Sequence, residues 1–288
     1  MAGQEPGAAY RVALETLRTT DFDRYLSALL VPEGKRGAVA ALYAFNAELA
    51  RIRDVIHEPL PGEIRLQWWR DLLEGTGSAG DALANPLAAA LMQAISDHRL
   101  PRAPLVAMTE ARIFDLYDDP MLSTSMFEGY AGETASALIQ LAALVVDPEG
   151  APGVAEAAGH AGIAQLVAGT LMLLPLHRRR NQVYVPADIL SATGLDRNAF
   201  LEGKDAARMK AALSAFIGYG RDHLAKARKA TKGAVTQALA PVFTPVANVE
   251  VVLNRAEKAG LSLFDQPVQP PQMMRQWRMW RTSISGRF

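Results

Sequence analysis

The sequence has no cysteine, no excess charge of either sign and no uninterrupted apolar run of membrane-spanning length. The absence of cysteine excludes disulfides, thiolate metal sites and cysteine nucleophiles. The 30 basic residues balance the 30 acidic residues, so the overall charge gives no attraction to nucleic acid, and we expect no nucleic-acid partner. The longest apolar run, residues 161–176, is broken by Gln165 and Pro175 and is shorter than the roughly 20 residues that a spanning helix needs.

Several common catalytic and targeting motifs are also missing. The sequence contains no phosphate-binding loop, no hydrolase nucleophile elbow and no dinucleotide-binding fingerprint. Its histidines are scattered, which predicts no zinc site. The first residues have neither a basic start nor an apolar stretch, so we expect no secretory signal and a cytoplasmic location.

The dominant pattern is helical. Apolar residues recur at spacings of three and four along most of the chain, without the sustained alternation that is typical of strands. The stripe from Leu42 to Ile56 predicts a helix over residues 35–57. The same reasoning predicts a helix that ends at Gly75 and further helices over 86–98, 104–118, 124–146, 152–174, 204–230 and 238–259. A chain of this length can form one core, so we expect an all-α single domain over residues 1–266.

Two segments depart from this pattern. Residues 175–203 are interrupted by two prolines and by Gly194, which predicts a loop between long helices. Residues 267–288 are first rich in proline and glutamine and then in arginine and tryptophan, with no acid after Asp265. This composition predicts a basic, aromatic C-terminal tail outside the core.

Two groups of charged residues are candidates for a binding site. Arg51 precedes Asp54 by three residues, so an ion pair on one side of a helix is the simplest account of both. The run from His177 to Arg180 follows an apolar helix, and its guanidinium groups suit a phosphate or a carboxylate, but the composition alone favours a solvated surface.

A series of short motifs, in order along residues 20–230, resembles the squalene/phytoene synthase family of isoprenyl synthases. The motifs are Pro32-x-x-x-Arg36, Leu42-Tyr43-Ala44-Phe45, Ile64-x-Leu66-x-Trp68, Tyr130, and Arg179-Arg180-x-x-Val183-Tyr184-Val185-Pro186. The resemblance implies an isoprenoid synthase fold, with helices around a central apolar cavity. Catalytic members join two prenyl diphosphates head to head, and two aspartate-rich motifs hold magnesium against the diphosphates.

This chain departs from the family at those aspartate-rich motifs. The first motif would fall on Ala50 and Asp54, and the second on Leu173 and His177. Asp54 is therefore the only motif aspartate left. Magnesium at such sites binds protein carboxylates together with phosphate oxygens, so the resemblance implies no metal site and no cofactor, with Mg²⁺ expected only if enzymatic activity is retained.

The departures themselves resemble a non-catalytic branch of the family, which includes the mitochondrial assembly factor for respiratory complex I. The shared features are Phe45-Asn46-x-Glu48-Leu49-Ala50, Asp54, Tyr130-Ala131-x-Glu133-Thr134-x-Ser136 and Pro175-x-His177. This branch implies a protein that supports complex I assembly, with assembly intermediates as partners, and that is able to hold a prenyl or lipid-like ligand.

Two alternatives remain open at this point. One is a true head-to-head prenyltransferase that binds phosphate through arginines, and the other is a lipid-binding scaffold unrelated to respiration. The candidates for phosphate or ligand contact are Arg51, Arg178, Arg179, Arg180 and Tyr184. The residues that could still act in catalysis are Glu48, Asp54, Asp115, Asp118, Asp119, Tyr130 and Glu133.

The tail offers a second candidate surface. Residues 272–281 place Met273, Trp277 and Trp280 on one helical side and a row of arginines beside them. Such a segment is typical of peripheral contact with an anionic bilayer, which here would be the inner membrane. A tail that folds back onto the domain explains the same residues.

Overall fold

The computed structural model of the chain describes residues 6–56, 58–77, 80 and 84–288, and none of these residues lies in a β-strand. The all-α, single-domain prediction is confirmed. The N-terminal half consists of α1 (Pro6–Thr20), α2 (Phe22–Leu30), α3 (Glu33–Val55), α4 (Pro59–Glu74), α5 (Pro86–His98), α6 (Ala103–Ala111), a 3-10 segment (Arg112–Leu116), α7 (Thr124–Ala131), a π segment (Gly132–Ser136) and α8 (Ala137–Val146).

The C-terminal half continues from a 3-10 turn at Ala151–Val154. It consists of α9 (Ala155–Met172), α10 (Leu174–Arg179), α11 (Ala187–Ala192), α12 (Arg197–Glu202), α13 (Ala206–Ala230), a 3-10 segment (Ala240–Val246), α14 (Val249–Ala259), a second 3-10 segment (Gly260–Phe264) and α15 (Gln272–Ser285).

Local sequence explains several helix boundaries. The Asn85 side chain accepts hydrogen bonds from the amides of Leu87 and Ala88 at the start of α5, and this capping satisfies amides that have no partner inside the helix. Helix α4 ends at Gly75, as predicted, and Gly75 adopts the left-handed conformation that favours glycine. Helix α3 covers residues 33–55 where 35–57 was predicted, and His57 lies outside the described residues.

The core is built around α3 and the α9–α13 pair. Residues 38–47 of α3 are all buried, so this helix is covered on every side rather than along one stripe. Helices α9 and α13 cross closely at Gly220, where an added Cβ would lie 2.7 Å from Val167. Thr124–Val146 is long and apolar enough to cross a membrane by length and composition, but 61% of its most apolar window is buried, and a core helix passes the same test.

The structure differs from the predicted pattern in three places. Residues 175–203, predicted as a loop, contain most of α10 together with α11 and α12, which are too short to produce a clear helical repeat. The predicted helix 124–146 is interrupted by the π segment Gly132–Ser136. The tail residues 272–285 form α15, which packs on the domain and buries Met279 and Thr282.

Two open grooves lie at the surface of the described part of the chain. One, of about 460 Å³, lies between α4 and α6, and the other, of about 620 Å³, lies between α13 and α14. The apolar cavity was expected between the predicted helices 35–57, 124–146 and 152–174, and neither groove lies between those segments. The central cavity therefore stays a prediction.

Candidate functional site

A buried carboxylate, Asp115, is the centre of a polar cluster inside the helical domain. Asp115 lies in the 3-10 segment that follows α6 and is only 8% exposed. Its carboxylate accepts hydrogen bonds from the hydroxyls of Tyr130 and Tyr184, both at 2.8 Å, and from Nη1 of Arg112 at 2.9 Å. We call these four residues the Asp115 cluster. Gln182 anchors it further, because its amide donates to the Asp115 carbonyl at 3.0 Å.

Arg112 neutralises the cluster from its buried side. Its Nη1 also donates to the Tyr130 hydroxyl at 2.8 Å, and its Nη2 donates to Oδ1 of Asn46 on α3 at 3.3 Å. Burial lowers the pKa of Arg112, but the neighbouring Tyr130 and Asp115 outweigh that effect and raise the pKa. Arg112 is therefore a permanent cation, and its charge compensates the buried carboxylate.

The two tyrosines of the cluster stay protonated. Burial is the main cause that raises the pKa of Tyr130 and of Tyr184 well above the ordinary value, and the Asp115 charge adds to it in both cases. Each hydroxyl therefore acts as a hydrogen-bond donor to Asp115. Buried hydrogen-bond networks of this kind fix the packing of the elements that carry them.

His177 lies beside the cluster, where a catalytic family member would carry the last aspartate of its second motif. Its ring lies against Tyr184 with centroids 4.6 Å apart and the ring planes tilted by 41°. The pKa of His177 is lowered to about 4, mainly by burial and also by Arg180, against the opposing effects of Asp115 and Asp54. Its Nδ1 atom is buried without a hydrogen-bond partner among the described residues. A neutral imidazole thus occupies this position at neutral pH.

The motif aspartate that is left, Asp54, lies near the C-terminal end of α3 and forms an ion pair with Arg180. The carboxylate Oδ1 lies 2.8 Å from Nη1 of Arg180, and the two side chains are 44% and 27% exposed. A second, looser ion pair joins Arg53 to Asp118 at 3.9 Å. These pairs connect the end of α3 to the chain around the Asp115 cluster.

The structure brings together some of the sequence candidates and separates others. Tyr130 and Tyr184 meet at Asp115, and Asp54 meets Arg180. Arg178 turns away, because its Nε donates to the carbonyl of Leu201 at 3.2 Å and its guanidinium lies 5.3 Å from the centre of the Phe264 ring. Glu48 pairs with Arg65. The remaining candidates are exposed, namely Arg51, Asp119, Glu133 and Arg179.

Sequence reasoning missed Arg112, Gln182 and Asn46. The one local signal was the spacing of Arg112 and Asp115, which are three residues apart. The other contacts join residues 66 to 69 positions apart in the chain, so no local pattern could have indicated them.

The π segment Gly132–Ser136 positions Tyr130 for this cluster. Thr134 Oγ1 donates to the Tyr130 carbonyl at 2.6 Å, and Ser136 Oγ donates to the Gly159 carbonyl of α9 at 2.9 Å. Gly162 permits the close approach, because an added Cβ there would lie 2.2 Å from Ser136 Oγ. Such single π turns are frequent at functional sites.

The residues present do not fit a magnesium cluster. No group of three or more His, Asp or Glu side chains in the described part of the chain is arranged to hold a metal ion. Asp54 forms an ion pair with Arg180, and the Asp115 carboxylate accepts hydrogen bonds from three donors. Magnesium binds through oxygen ligands in a near-octahedral shell, and the positions that would complete such a shell carry Ala50, Leu173 and His177.

Known proteins resemble this chain along nearly its whole length. The human protein named NADH dehydrogenase (ubiquinone) complex I, assembly factor 6, is 28% identical over 270 residues, which cover 93% of this chain and 80% of the human protein. The bovine protein of the same name is 29% identical over 259 residues, which cover 90% of this chain and 77% of its own.

Solved structures of prenyl-joining enzymes share the fold. A dehydrosqualene synthase in complex with ligand superposes with a TM-score of 0.80 at 16% identity, over 96% of this chain and 98% of its own. Squalene synthase HpnC from Alicyclobacillus acidocaldarius superposes with a TM-score of 0.73 at 16% identity, over 92% and 98% of the two chains. The family model for squalene/phytoene synthase matches residues 17–281. The chain therefore belongs to the squalene/phytoene synthase family.

Proposed function

We propose that this protein is a non-catalytic member of its family that supports the assembly of respiratory complex I. The observation that carries the proposal is the 2.8 Å ion pair between Asp54 and Arg180. The guanidinium of Arg180 already pairs with the carboxylate that a magnesium-dependent synthase would use to bind the metal. The relatives named as complex I assembly factors support the same proposal.

The physical argument concerns the charge of a prenyl diphosphate. A synthase neutralises two diphosphates with magnesium held by two sets of carboxylates, and that metal also stabilises the leaving pyrophosphate. Arg180 stays charged throughout the physiological pH range, so Asp54 is already compensated without metal. Ala50, Leu173 and His177 supply no replacement carboxylate. Loss of pyrophosphate from a prenyl substrate would therefore lack its usual electrophilic assistance.

A prenyl or lipid-like ligand is part of the proposal. Arg179 is exposed and Arg180 is partly exposed at the end of α10, so their guanidinium groups are available to an anionic headgroup. The apolar part of the ligand would enter the central cavity that the family resemblance predicts. Binding of this kind would depend on salt and not on magnesium, because arginines and not a metal would hold the phosphate.

A turnover assay tests the loss of catalysis. The purified protein is incubated with farnesyl or geranylgeranyl diphosphate, with and without Mg²⁺ and a reduced nicotinamide, beside an active dehydrosqualene synthase as positive control. We expect no release of pyrophosphate above background. Magnesium-dependent formation of a squalene- or phytoene-like product would contradict the proposal and favour the second candidate, head-to-head prenyl transfer on the shared fold.

A genetic assay tests the assembly role separately. The gene is deleted in the cell from which the protein comes, and intact complex I is measured by native gel electrophoresis and by NADH-dependent quinone reduction. We expect less assembled complex I, restored by the wild-type gene. Unchanged complex I in the deletion strain would refute the assembly role and leave a lipid-binding scaffold. A cytoplasmic location, peripheral to the inner membrane, belongs to this proposal.

A further inference from the structure

The outward face of α15 is apolar, which is the reverse of an ordinary surface helix. Its exposed large side chains include Met273, which is 83% exposed, and Trp277, which is 60% exposed. Met274, Trp280 and Ile284 are exposed as well. Residues 273, 277, 280 and 284 follow the spacing of one helical face. Together they form one continuous apolar stripe, which we call the α15 stripe.

Two arginines of α15 face the protein instead. Arg275 forms an ion pair with Asp23 of α2 at 2.6 Å. Arg278 donates from Nε to the carbonyl of Ala247 at 2.9 Å and lies 3.7 Å from the Glu250 carboxylate. The arginine row expected from the sequence is therefore divided, because the domain binds two of its members and only Arg281 is exposed.

Helix α15 is held firmly at its inner side. Met279 and Thr282 are buried, and the terminal residue Phe288 stacks on Phe243 with centroids 5.5 Å apart. The two exposed indoles, Trp277 and Trp280, also stack on one another at 5.0 Å. The stripe is thus presented by an anchored helix, and its orientation does not depend on folding when a partner arrives.

We propose that the α15 stripe binds the surface of an anionic lipid bilayer, with the helix lying flat in the headgroup region. Indole rings favour this region because they combine an apolar body with a hydrogen-bond donor. The exposed Arg281 and Arg287 flank the stripe, and the chain has no acidic residue after Asp265. This local charge complements anionic lipid headgroups. This proposal deepens the peripheral location given under the proposed function, and its test is separate from the tests of the assembly role and of prenyl transfer.

Vesicle sedimentation with the full chain tests this proposal. Vesicles of phosphatidylcholine alone are compared with vesicles that also contain phosphatidylglycerol, at low salt. We expect the wild-type protein to sediment mainly with the anionic vesicles, and Trp277→Ser/Trp280→Ser to bind at least tenfold more weakly. Arg281→Gln/Arg287→Gln should lose about fivefold per arginine at low salt, which corresponds to about 1 kcal/mol each, and less at high salt.

A matched control is available on α4. Leu60 and Ile64 are 67% and 63% exposed and lie one turn apart, compared with 60% and 48% for Trp277 and Trp280. Leu60→Ser/Ile64→Ser therefore removes exposed apolar side chains outside the α15 stripe and should leave vesicle binding unchanged. Thermal melting followed by circular dichroism checks that each variant is folded. Quenching of tryptophan fluorescence by brominated lipid should be strong in the wild type and weak in the Trp277/Trp280 variant.

Two results would overturn the proposal. The first is a folded wild-type protein that does not sediment with anionic vesicles at low salt. The second is equal sedimentation of the wild type and the Trp277→Ser/Trp280→Ser variant. In either case, concentration-dependent self-association that this variant abolishes would assign the α15 stripe to a second copy of the chain.

Discussion

The Asp115 cluster and the Asp54–Arg180 pair each join a carboxylate to a guanidinium, but their surroundings differ. Asp115 is 8% exposed and accepts hydrogen bonds from two tyrosines in addition to Arg112. The Asp54 side chain is 44% exposed and forms an ion pair with Arg180. Water screens the charges of the Asp54–Arg180 pair strongly and those of Asp115 and Arg112 weakly.

This difference separates a structural role from a binding role. Removing one member of a buried pair leaves an uncompensated charge in a low-dielectric interior, which destabilises a fold severely. Removing one member of an exposed pair leaves a charge that water can solvate. We therefore expect the Asp115 cluster to hold the fold together, and the Asp54–Arg180 pair to be free to exchange partners when an anionic ligand arrives.

The largest effect should follow from Asp115→Ala. This change leaves Arg112 buried without its carboxylate and removes the acceptor of two tyrosine hydroxyls. We expect the free energy of unfolding to fall by about 3–5 kcal/mol, measured by urea denaturation at neutral pH. Asp119→Ala, which removes an exposed carboxylate four residues later, should change it by less than about 1 kcal/mol. If Asp115→Ala does not fold, Asp115→Asn should show a smaller loss. If both Asp115 variants lose less than about 1 kcal/mol of unfolding free energy, the Asp115 cluster has no larger structural role than the Asp54–Arg180 pair.

The second-largest effect should be a change of the unfolding free energy with pH that is due to His177. The pKa of its imidazole is about 4 in the folded protein and about 6.5 in an unfolded chain. Above pH 6.5 the ring is neutral in both states and contributes no pH dependence. Between pH 6.5 and 4 the unfolded chain binds a proton that the folded protein refuses, so stability falls as the pH falls, by up to about 3 kcal/mol.

The His177→Gln variant isolates this contribution. We expect the difference in unfolding free energy between wild type and variant to shift in favour of the variant as the pH falls from 7.5 to 4.5. Burial also lowers the pKa of His98 and of His223, but both proteins contain these residues, so their contributions cancel. A difference that is constant with pH would show that His177 titrates normally.

A smaller effect should rank the two tyrosines inside the cluster. The Tyr130 hydroxyl donates to Asp115 and accepts from Arg112, whereas the Tyr184 hydroxyl donates to Asp115 alone. Hydrogen bonds to charged groups contribute about 1.5–3 kcal/mol each. We expect Tyr130→Phe to destabilise more than Tyr184→Phe, by about 1 kcal/mol or more in chemical denaturation. The reverse order would show that the single hydrogen bond of Tyr184 contributes more to stability than the two hydrogen bonds of Tyr130.

The smallest effect on stability should come from changes to the Asp54–Arg180 pair. We expect Asp54→Asn and Arg180→Gln each to lower the unfolding free energy by about 1 kcal/mol or less, and added salt to reduce that loss. A double-mutant cycle of the two changes, at low and high salt, measures their coupling. Coupling above about 2 kcal/mol that persists at high salt would make this pair structural, and would remove the contrast with the Asp115 cluster.

The sequence by itself was sufficient for the fold class and for the family. Helical spacing from Leu42 to Ile56 requires only local contacts along one helix, and a glycine after Glu74 ends α4 for a local conformational reason. The loss of aspartates at positions 50, 173 and 177 is likewise visible without coordinates. The short helices α10 to α12 were not predicted, because six residues are too few to reveal a period of 3.6.

Only the tertiary structure decided which charges meet. Asp115 lies shortly before Pro120, where acidic residues are typical of solvated turns. It is nevertheless buried, because Tyr130 and Tyr184 reach it from distant parts of the chain and join the neighbouring Arg112. The arginines at 178 and 180 are two residues apart, but they point to Leu201 and to Asp54. In the tail, the acids of other helices bind Arg275 and Arg278, so the apolar side of α15 faces outward. Each outcome depends on partners that are distant in sequence, whereas helix formation depends on neighbours within one or two turns.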